Sequence, residues 1–205
     1  AYTQMEKLLR EVHAINPSFR CYDDAIELII EKREQSRREK LVEEKNKKLL
    51  DGLVNVPLFP YQQEGVLFAA KAGRCILADD MGLGKTIQAI AWARLLQKYL
   101  GAQKVIIICP TSLKYQWKTE IEKFSGAKAT VLEGNMLARK EVYENDESFF
   151  KIVSYHMAGN DWQYINSMQP DAVILDEAQR IKNWRAKISQ NIKRLRSRYA
   201  LVLTG

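Results

Sequence analysis

The chain has 205 residues, a formal net charge of +7, and is 46% hydrophobic and 28% charged. That length holds one full domain and a smaller piece, at roughly 100–200 residues per domain, and the balance of apolar and charged residues excludes wholesale disorder. The longest aliphatic run, Val105-Ile106-Ile107-Ile108, is far short of the roughly 20 residues that cross a bilayer, and the first residues are charged rather than an apolar leader core. A soluble chain with no membrane partner is therefore expected. Cys21, Cys75 and Cys109 are three cysteines without paired spacing, which argues against a disulfide or metal framework and for a reducing, intracellular setting. His13 and His156 each lack a second histidine at ligand spacing.

In chain order, Met5, Leu8, Leu9 and Val12 recur at helical spacing, and Asn16-Pro17-Ser18 ends that helix. Asp23 and Asp24 are placed to cap a second helix that carries Ile26, Ile29 and Ile30 on one face. From Glu31 to Lys48 this helix is almost wholly charged with the signs interleaved, the pattern of an exposed helix held by i,i+4 pairs, and Gly52 and Pro57 mark its end. Residues 1–56 are thus expected to form a helical accessory segment, and residues 57–205 an α/β domain. In that domain strands are predicted at 74–78, 104–109, 129–132, 151–154, 172–176 and 200–203, and helices at 85–99, 112–124 and 186–195. Continuous apolar strands separated by helices mean a mostly parallel sheet covered by helices on both faces.

Between the first strand and its helix lies Ala78-Asp79-Asp80-Met81-Gly82-Leu83-Gly84-Lys85-Thr86. Backbone N–H groups of a glycine-rich turn that opens a helix cradle phosphate oxygens. Lys85 would reach the β- and γ-phosphates, and the Thr86 hydroxyl would bind Mg²⁺. Asp79 stands where the general pattern has its first glycine. Further along, Val173-Ile174-Leu175 ends in Asp176-Glu177-Ala178-Gln179, and strand ends face the ligand crevice of an open α/β sheet. Asp176 is suited to hold Mg²⁺, and Glu177 to orient and deprotonate an attacking water. From Gln179 to Gly205 no residue is acidic, while Arg180, Lys182, Arg185, Lys187, Lys193, Arg194, Arg196 and Arg198 are basic. That block reads either as a phosphate-facing surface or as a solvated helix face.

Six blocks stand in order: Leu58-Phe59-Pro60-Tyr61-Gln62-Gln63-Glu64-Gly65-Val66, LADDMGLGKTIQAIA from Leu77, IICPTSLKYQWKTEIEKF from Ile107, IVSYH from Ile152, ILDEAQRIKN from Ile174, and ALVLTG from Ala200. Over about Leu58 to Gly205 the chain resembles the first RecA-like lobe of a Swi/Snf-type DNA-dependent ATPase, within helicase superfamily two. The resemblance accounts for Asp79, since that family's loop reads Asp-Asp/Glu-Met-Gly-Leu-Gly-Lys-Thr. It implies a P-loop NTPase of RecA-like fold, ATP and Mg²⁺ as cofactors, and double-stranded DNA held through its backbone. By position, Gln62 resembles the family's adenine-reading glutamine, and Asp80, Met81, Gly82, Leu83, Gly84, Lys85 and Thr86 its nucleotide cradle. Lys85, Asp176 and Glu177 resemble the catalytic group, with Thr86 and Asp176 on the metal. Gln179 replaces the family's usual histidine and, with Thr204 at the start of the next motif, bears on coupling rather than catalysis. The DNA contacts implied are Thr111, Ser112, Lys114, Gly134, Ser154, Tyr155, Lys182 and Asn183. Trp117, on a helix with Ile121 and Phe124, reads as core rather than as a base-stacking platform.

The resemblance further implies a second RecA-like lobe of the same parent chain, which supplies arginines to the γ-phosphate; such arginines give roughly 10³–10⁵ in rate in related phosphoryl transfer. By itself this chain is expected to bind nucleotide weakly and to hydrolyse it very slowly. The expected parent is a translocase that remodels or displaces protein–DNA complexes, with a displaced protein as a further partner. A strand-separating DNA or RNA helicase of the same superfamily is an alternative, opposed by Met81-Gly82-Leu83-Gly84 and Arg180-Ile181-Lys182-Asn183. A non-catalytic nucleic-acid-binding module is another, opposed by the intact Lys85, Thr86, Asp176 and Glu177. Compact motif spacing and Gln179 favour a prokaryotic parent, in the cytoplasm or nucleoid, over a nuclear one.

Overall fold

The computed structural model describes residues 2–20, 22–80, 82–181 and 186–205. The chain divides into two units, residues 1–46 and 47–205; from the sequence the boundary falls at 56/57. In the first unit, α1 (Tyr2–Ile15) carries a Lys7–Glu11 ion pair at 3.7 Å on its surface. It ends where the Asn16 Oδ1 accepts from the Ser18 backbone N–H and hydroxyl, at 3.1 and 2.6 Å, and where Pro17 has no N–H to continue the helix. In α2 (Asp23–Lys45) the N-cap is Tyr22, with no side-chain cap bond. Asp23 and Asp24 instead lie inside the first turn, where their charge meets the positive end of the helix. Along the charged stretch Lys32 donates to Gln35 at 3.2 Å and Gln35 to Glu39 at 3.1 Å; it is less exposed than its composition suggests, since Gln35 and Glu39 are half-buried and Arg38 is buried. The α-helix stops at Lys45, ahead of Gly52, where Asn46 turns to φ 43° and the chain tightens into a 3-10 helix over Asn46–Leu50.

In the second unit the apolar runs become β1 (Arg74–Leu77), β2 (Val105–Cys109), β3 (Ala129–Val131), β4 (Phe150–Ser154), β5 (Ala172–Leu175) and β6 (Tyr199–Leu203). Neighbours pair in parallel throughout, in the order β1-β6-β5-β2-β4-β3. Every residue of β2 and β4 is buried, which is why β2 reads as a continuous apolar run rather than an alternating one; β4 buries Lys151 and Ser154 among its apolar residues. Parallel neighbours need crossover connections, and helices supply most of them: α3 (Pro60–Ala72) leads into β1, and α4 (Lys85–Leu100), α5 (Lys114–Ser125), α6 (Met136–Asn145), α7 (Tyr155–Asn160), α8 (Trp162–Ser167) and α9 (Lys187–Lys193) follow.

One face of the sheet presents Ile106, Ile108, Val153 and Val173 to Tyr143 of α6, Ala158 of α7, Ile165 of α8 and Ile192 of α9. Strand alternation turns Ile107, Ile152 and Ile174 to the other face, where α3, α4 and α5 pack in succession. The middle of α4, Ala89 to Ala93 with Leu95 and Leu96, is wholly buried, as expected of a helix that is apolar on all sides. At the β1 edge the cover is thinner, and Ile76 is 61% exposed. Because all six strands run the same way, their C-terminal ends share one edge, and each motif block of the sequence lands on it or beside it. No described helix is long and apolar enough to cross a membrane.

Candidate nucleotide site

The nucleotide loop leaves the end of β1 and enters α4 through Gly84, at φ 74°. Lys85 and Thr86 open that helix. The Lys85 ammonium donates to the carbonyl oxygens of Asp79, at 2.6 Å, and Asp80, at 3.0 Å. One turn into α4, the Gln88 amide donates to the Asp79 carboxylate at 2.8 Å. Asp79 is therefore the loop's anchor to the helix behind it, which gives a physical reason for an acid at this position. Gln88 can sit there only because Gly65 of α3 has no side chain: a Cβ on residue 65 would lie 2.2 Å from the Gln88 Oε1.

Gln62 is buried against the same loop. Its Oε1 accepts from the Phe59 N–H at 3.0 Å, and its Nε2 donates to the Leu83 carbonyl at 3.1 Å, which the Tyr61 hydroxyl also reaches at 3.2 Å. Both ends of the amide are thus engaged within the protein. Phe59 and Tyr61 stack with centroids 5.9 Å apart and are largely exposed beside it. Asp80, Gly82 and Leu83 face solvent, and Met81 lies outside the described residues.

Across from the loop, the Asp176 N–H continues the sheet ladder to the Ile108 carbonyl at 2.9 Å, and Glu177 then turns into the left-handed region at φ 54°. The Asp176 Oδ2 accepts from the Trp117 indole N–H at 2.8 Å, and the Asp176 carbonyl accepts from the Tyr155 hydroxyl at 2.7 Å. Burial pushes the Asp176 carboxyl up, the indole bond pulls it back, and the neighbouring Glu177 charge raises it again, leaving it above its ordinary value. Gln179 donates to the Glu177 carboxylate and accepts from the Thr204 hydroxyl, the latter at 3.2 Å; the two coupling positions expected from the sequence are in direct contact.

Gly82, Gly84, Lys85, Thr86, Asp176 and Glu177 line one cavity of about 670 Å³, within the size range of small-molecule sites. Its donors suit Mg²⁺: a hydroxyl and two carboxylates are hard oxygen ligands, and this ion is commonly held by one or two carboxylates together with substrate phosphates. Among the described residues no group of three or more His, Cys, Asp or Glu gathers to hold a metal. Cys109 stands beside this site, but burial first, then the Asp176 charge, pushes its thiol to about 12; it is a small core residue, not a reactive one.

The residues expected to touch DNA separate into two groups. Thr111, Ser112 and Gly134 are exposed at the C-terminal edge of the sheet. Lys114 is buried, with its ammonium on the Glu133 carboxylate at 2.7 Å and near the Leu132 carbonyl at 3.4 Å. Ser154 is buried and accepts from the Met157 N–H at the start of α7, and Tyr155 is buried on Asp176. These three hold loops in place from behind. Gly134 is steadied in the same way, its carbonyl accepting at 2.6 Å from Arg139, which is also paired with Asp161. Lys182 and Asn183 lie outside the described residues. Of the basic block, Lys193, Arg194, Arg196 and Arg198 line a separate cavity of about 800 Å³ with Trp162 and Asn166, just before β6 and so at the opposite edge of the sheet from the nucleotide loop.

Gln88 and the polar role of Trp117 were not legible in the chain. Trp117 is core, as its helical spacing suggests, and its N–H partner lies 59 residues away.

The SNF2-related domain family model matches residues 26–205, beginning inside α2 and upstream of the Leu58 block. An uncharacterised ATP-dependent helicase of Mycoplasma pneumoniae is 40% identical over 154 residues, which cover 71% of this chain and 15% of that protein. The human DNA annealing helicase and endonuclease ZRANB3 is 34% identical over 168 residues, covering 77% of this chain and 15% of that protein. The chain thus spans about 15% of the length of these relatives. Among solved structures, a Sulfolobus solfataricus SWI2/SNF2 ATPase core in complex with dsDNA matches with a TM-score of 0.68 at 30% identity, over 74% of this chain and 32% of that one.

Proposed function

Because the chain belongs to the SNF2-related domain family, we propose that it is the ATP-binding first motor lobe of an intracellular, double-stranded-DNA-dependent ATPase and translocase that remodels or displaces protein–DNA complexes. The observation that carries this reading is the meeting, in one cavity, of Lys85 and Thr86, at the start of α4 after the loop from β1, with Asp176 and Glu177 from the end of β5. The RecA-like fold of the lobe places both strand ends on the same edge.

Lys85 brings its ammonium to the β- and γ-phosphates, and the first amides of α4 add the field of a helix N-terminus. Thr86 and Asp176 are the residues that would hold Mg²⁺, which when bound neutralises phosphate charge and fixes the β- and γ-oxygens. Glu177, tethered by Gln179, orients the attacking water and accepts its proton. Through Thr204, Gln179 ties that carboxylate to the end of β6, which is the coupling role. Gln62 shapes the loop through Leu83 and would read adenine by releasing one of its two partners. Thr111, Ser112 and Gly134 present hydroxyl and amide groups to backbone phosphates, contacts that position a duplex without reading its bases. The Sulfolobus relative's complex with dsDNA supports duplex DNA as the partner. A second RecA-like lobe of the parent protein and a protein displaced from DNA are the remaining partners in this reading.

The test is binding of the non-hydrolysable ATP analogue AMPPNP with Mg²⁺ by this chain, and ATP turnover by the complete parent protein with duplex DNA, single strands or RNA, with Lys85→Ala as the blank in both. Wild type should bind, and Lys85→Ala should bind roughly 10–100-fold more weakly, as expected for a lost charge-assisted contact. Equal binding by the two proteins would remove the nucleotide reading. Turnover favouring single strands or RNA over duplex would point to a strand-separating helicase.

A further inference from the structure

We propose that Trp117 and Tyr155 are positioning residues that set Asp176 for Mg²⁺, Trp117 through the carboxylate and Tyr155 through the main chain; this rests on the nucleotide reading above. A buried tryptophan usually finds a partner for its N–H. Trp117, 2% exposed on α5, finds it in the Asp176 Oδ2 at 2.8 Å. An indole can only donate, so the bond fixes which carboxylate oxygen faces the core and holds the carboxylate plane still. The donor is also neutral. A lysine or arginine in the same place would orient the carboxylate equally well but would repel the cation.

Tyr155 acts one bond further along. Its hydroxyl holds the Asp176 carbonyl at 2.7 Å, and so fixes the peptide plane that joins Asp176 to Glu177. That plane needs holding, because Glu177 is in the left-handed region at φ 54°, which a residue with a Cβ occupies only when its surroundings over-determine it. The two donors come from different elements, α5 and the first residue of α7. The two acids are therefore braced against both layers of the lobe before any nucleotide enters. Outer groups of this kind orient a metal's ligands, and their loss typically lowers metal affinity or activity by about 10–100-fold.

The experiment compares AMPPNP affinity in excess Mg²⁺ and in EDTA, for wild type, Trp117→Phe and Tyr155→Phe. Because Trp117→Phe also leaves a gap in the core, a fourth protein with Trp117→benzothienylalanine keeps the ring shape and removes only the N–H. Wild type should show a magnesium-dependent gain in affinity. In the benzothienyl and Tyr155→Phe proteins that gain should fall by about 10-fold while affinity in EDTA stays as in wild type. A merely structural role would lower both affinities together, and that result overturns the proposal. A gain equal to wild type's in the benzothienyl protein removes Trp117, and in Tyr155→Phe removes Tyr155. Wild type that fails to bind AMPPNP at all would instead overturn the nucleotide reading itself.

Discussion

At Gly84 two constraints meet in one residue. Its φ of 74° lets the loop turn into α4, and a Cβ there would lie 2.5 Å from the Gln62 Nε2. Gly84→Ala should therefore cost about 1–2 kcal/mol for the backbone conformation alone and push Gln62 off the Leu83 carbonyl. We expect a lower thermal midpoint and weaker AMPPNP binding. In a Gln62→Ala background the Gly84→Ala change should cost less stability, since only the dihedral remains; an equal cost in both backgrounds would show that the contact is harmless. Glycines of the loop are legible in the chain because their need is local. Asp79 is not: its reason is Gln88, one helix turn inside α4, and Gln88 in turn requires that residue 65 be glycine.

Among the elements, the far end of the sheet is secured by a polar knot around Asp146, the residue that closes α6. Its carboxylate accepts from Thr130 of β3 at 3.0 Å and from the Ser148 N–H at 2.9 Å, and lies 3.2 Å from the buried Lys151 ammonium of β4. Burial alone would raise its pKa. The Ser148 hydroxyl and N–H, Thr130 and Lys151 outweigh that and bring it to about 2, from an ordinary 3.8. Since the folded value is the lower one, the knot's contribution to stability is fully present above the unfolded-state pKa of 3.8 and is lost as pH falls toward about 2. Urea midpoints at pH 5 and pH 3 should differ more for wild type than for Asp146→Asn, which lacks the titrating group and starts less stable because the buried Lys151 ammonium loses its counter-charge. An equal drop in both proteins would place the acid sensitivity elsewhere. In the sequence Lys151 looks like an ordinary strand start, since a charge buried on a central strand is recognised only when its acceptors, Asp146 and Ser148, are seen beside it.

For the molecule as a whole, the sheet sorts the charges as well as the motifs. Thr111, Ser112 and Gly134 share the C-terminal edge with the nucleotide loop, whereas Lys193, Arg194, Arg196 and Arg198 gather before β6 at the other edge. A duplex seated over the first edge should be sensitive to charge there. Thr111→Glu should weaken binding of a labelled duplex by roughly 10-fold, and Arg196→Glu by no more than about 2-fold, although it changes the net charge by twice as much. Fluorescence anisotropy at one fixed salt concentration measures both, and the reverse order would move the DNA seat to the basic cavity.

What the sequence determined by itself was whatever depends on near neighbours: strands from apolar runs, a helix end from Asn16-Pro17-Ser18, the phosphate loop from its glycines with Lys85 and Thr86, and the acidic strand end at Asp176 and Glu177. The second helix shows the limit, because Gly52 promises an end that Asn46 brings earlier. Only the tertiary structure decided which side chains serve one another. Strand order puts β5 beside β2, and so brings the indole of Trp117 and the hydroxyl of Tyr155 onto Asp176 from 59 and 21 residues away. It also buried Lys114 on Glu133 and left Thr111 and Ser112 outside. Periodicity records which way a side chain points from its own backbone; the partner it meets is set by the register and packing of segments far apart in the chain.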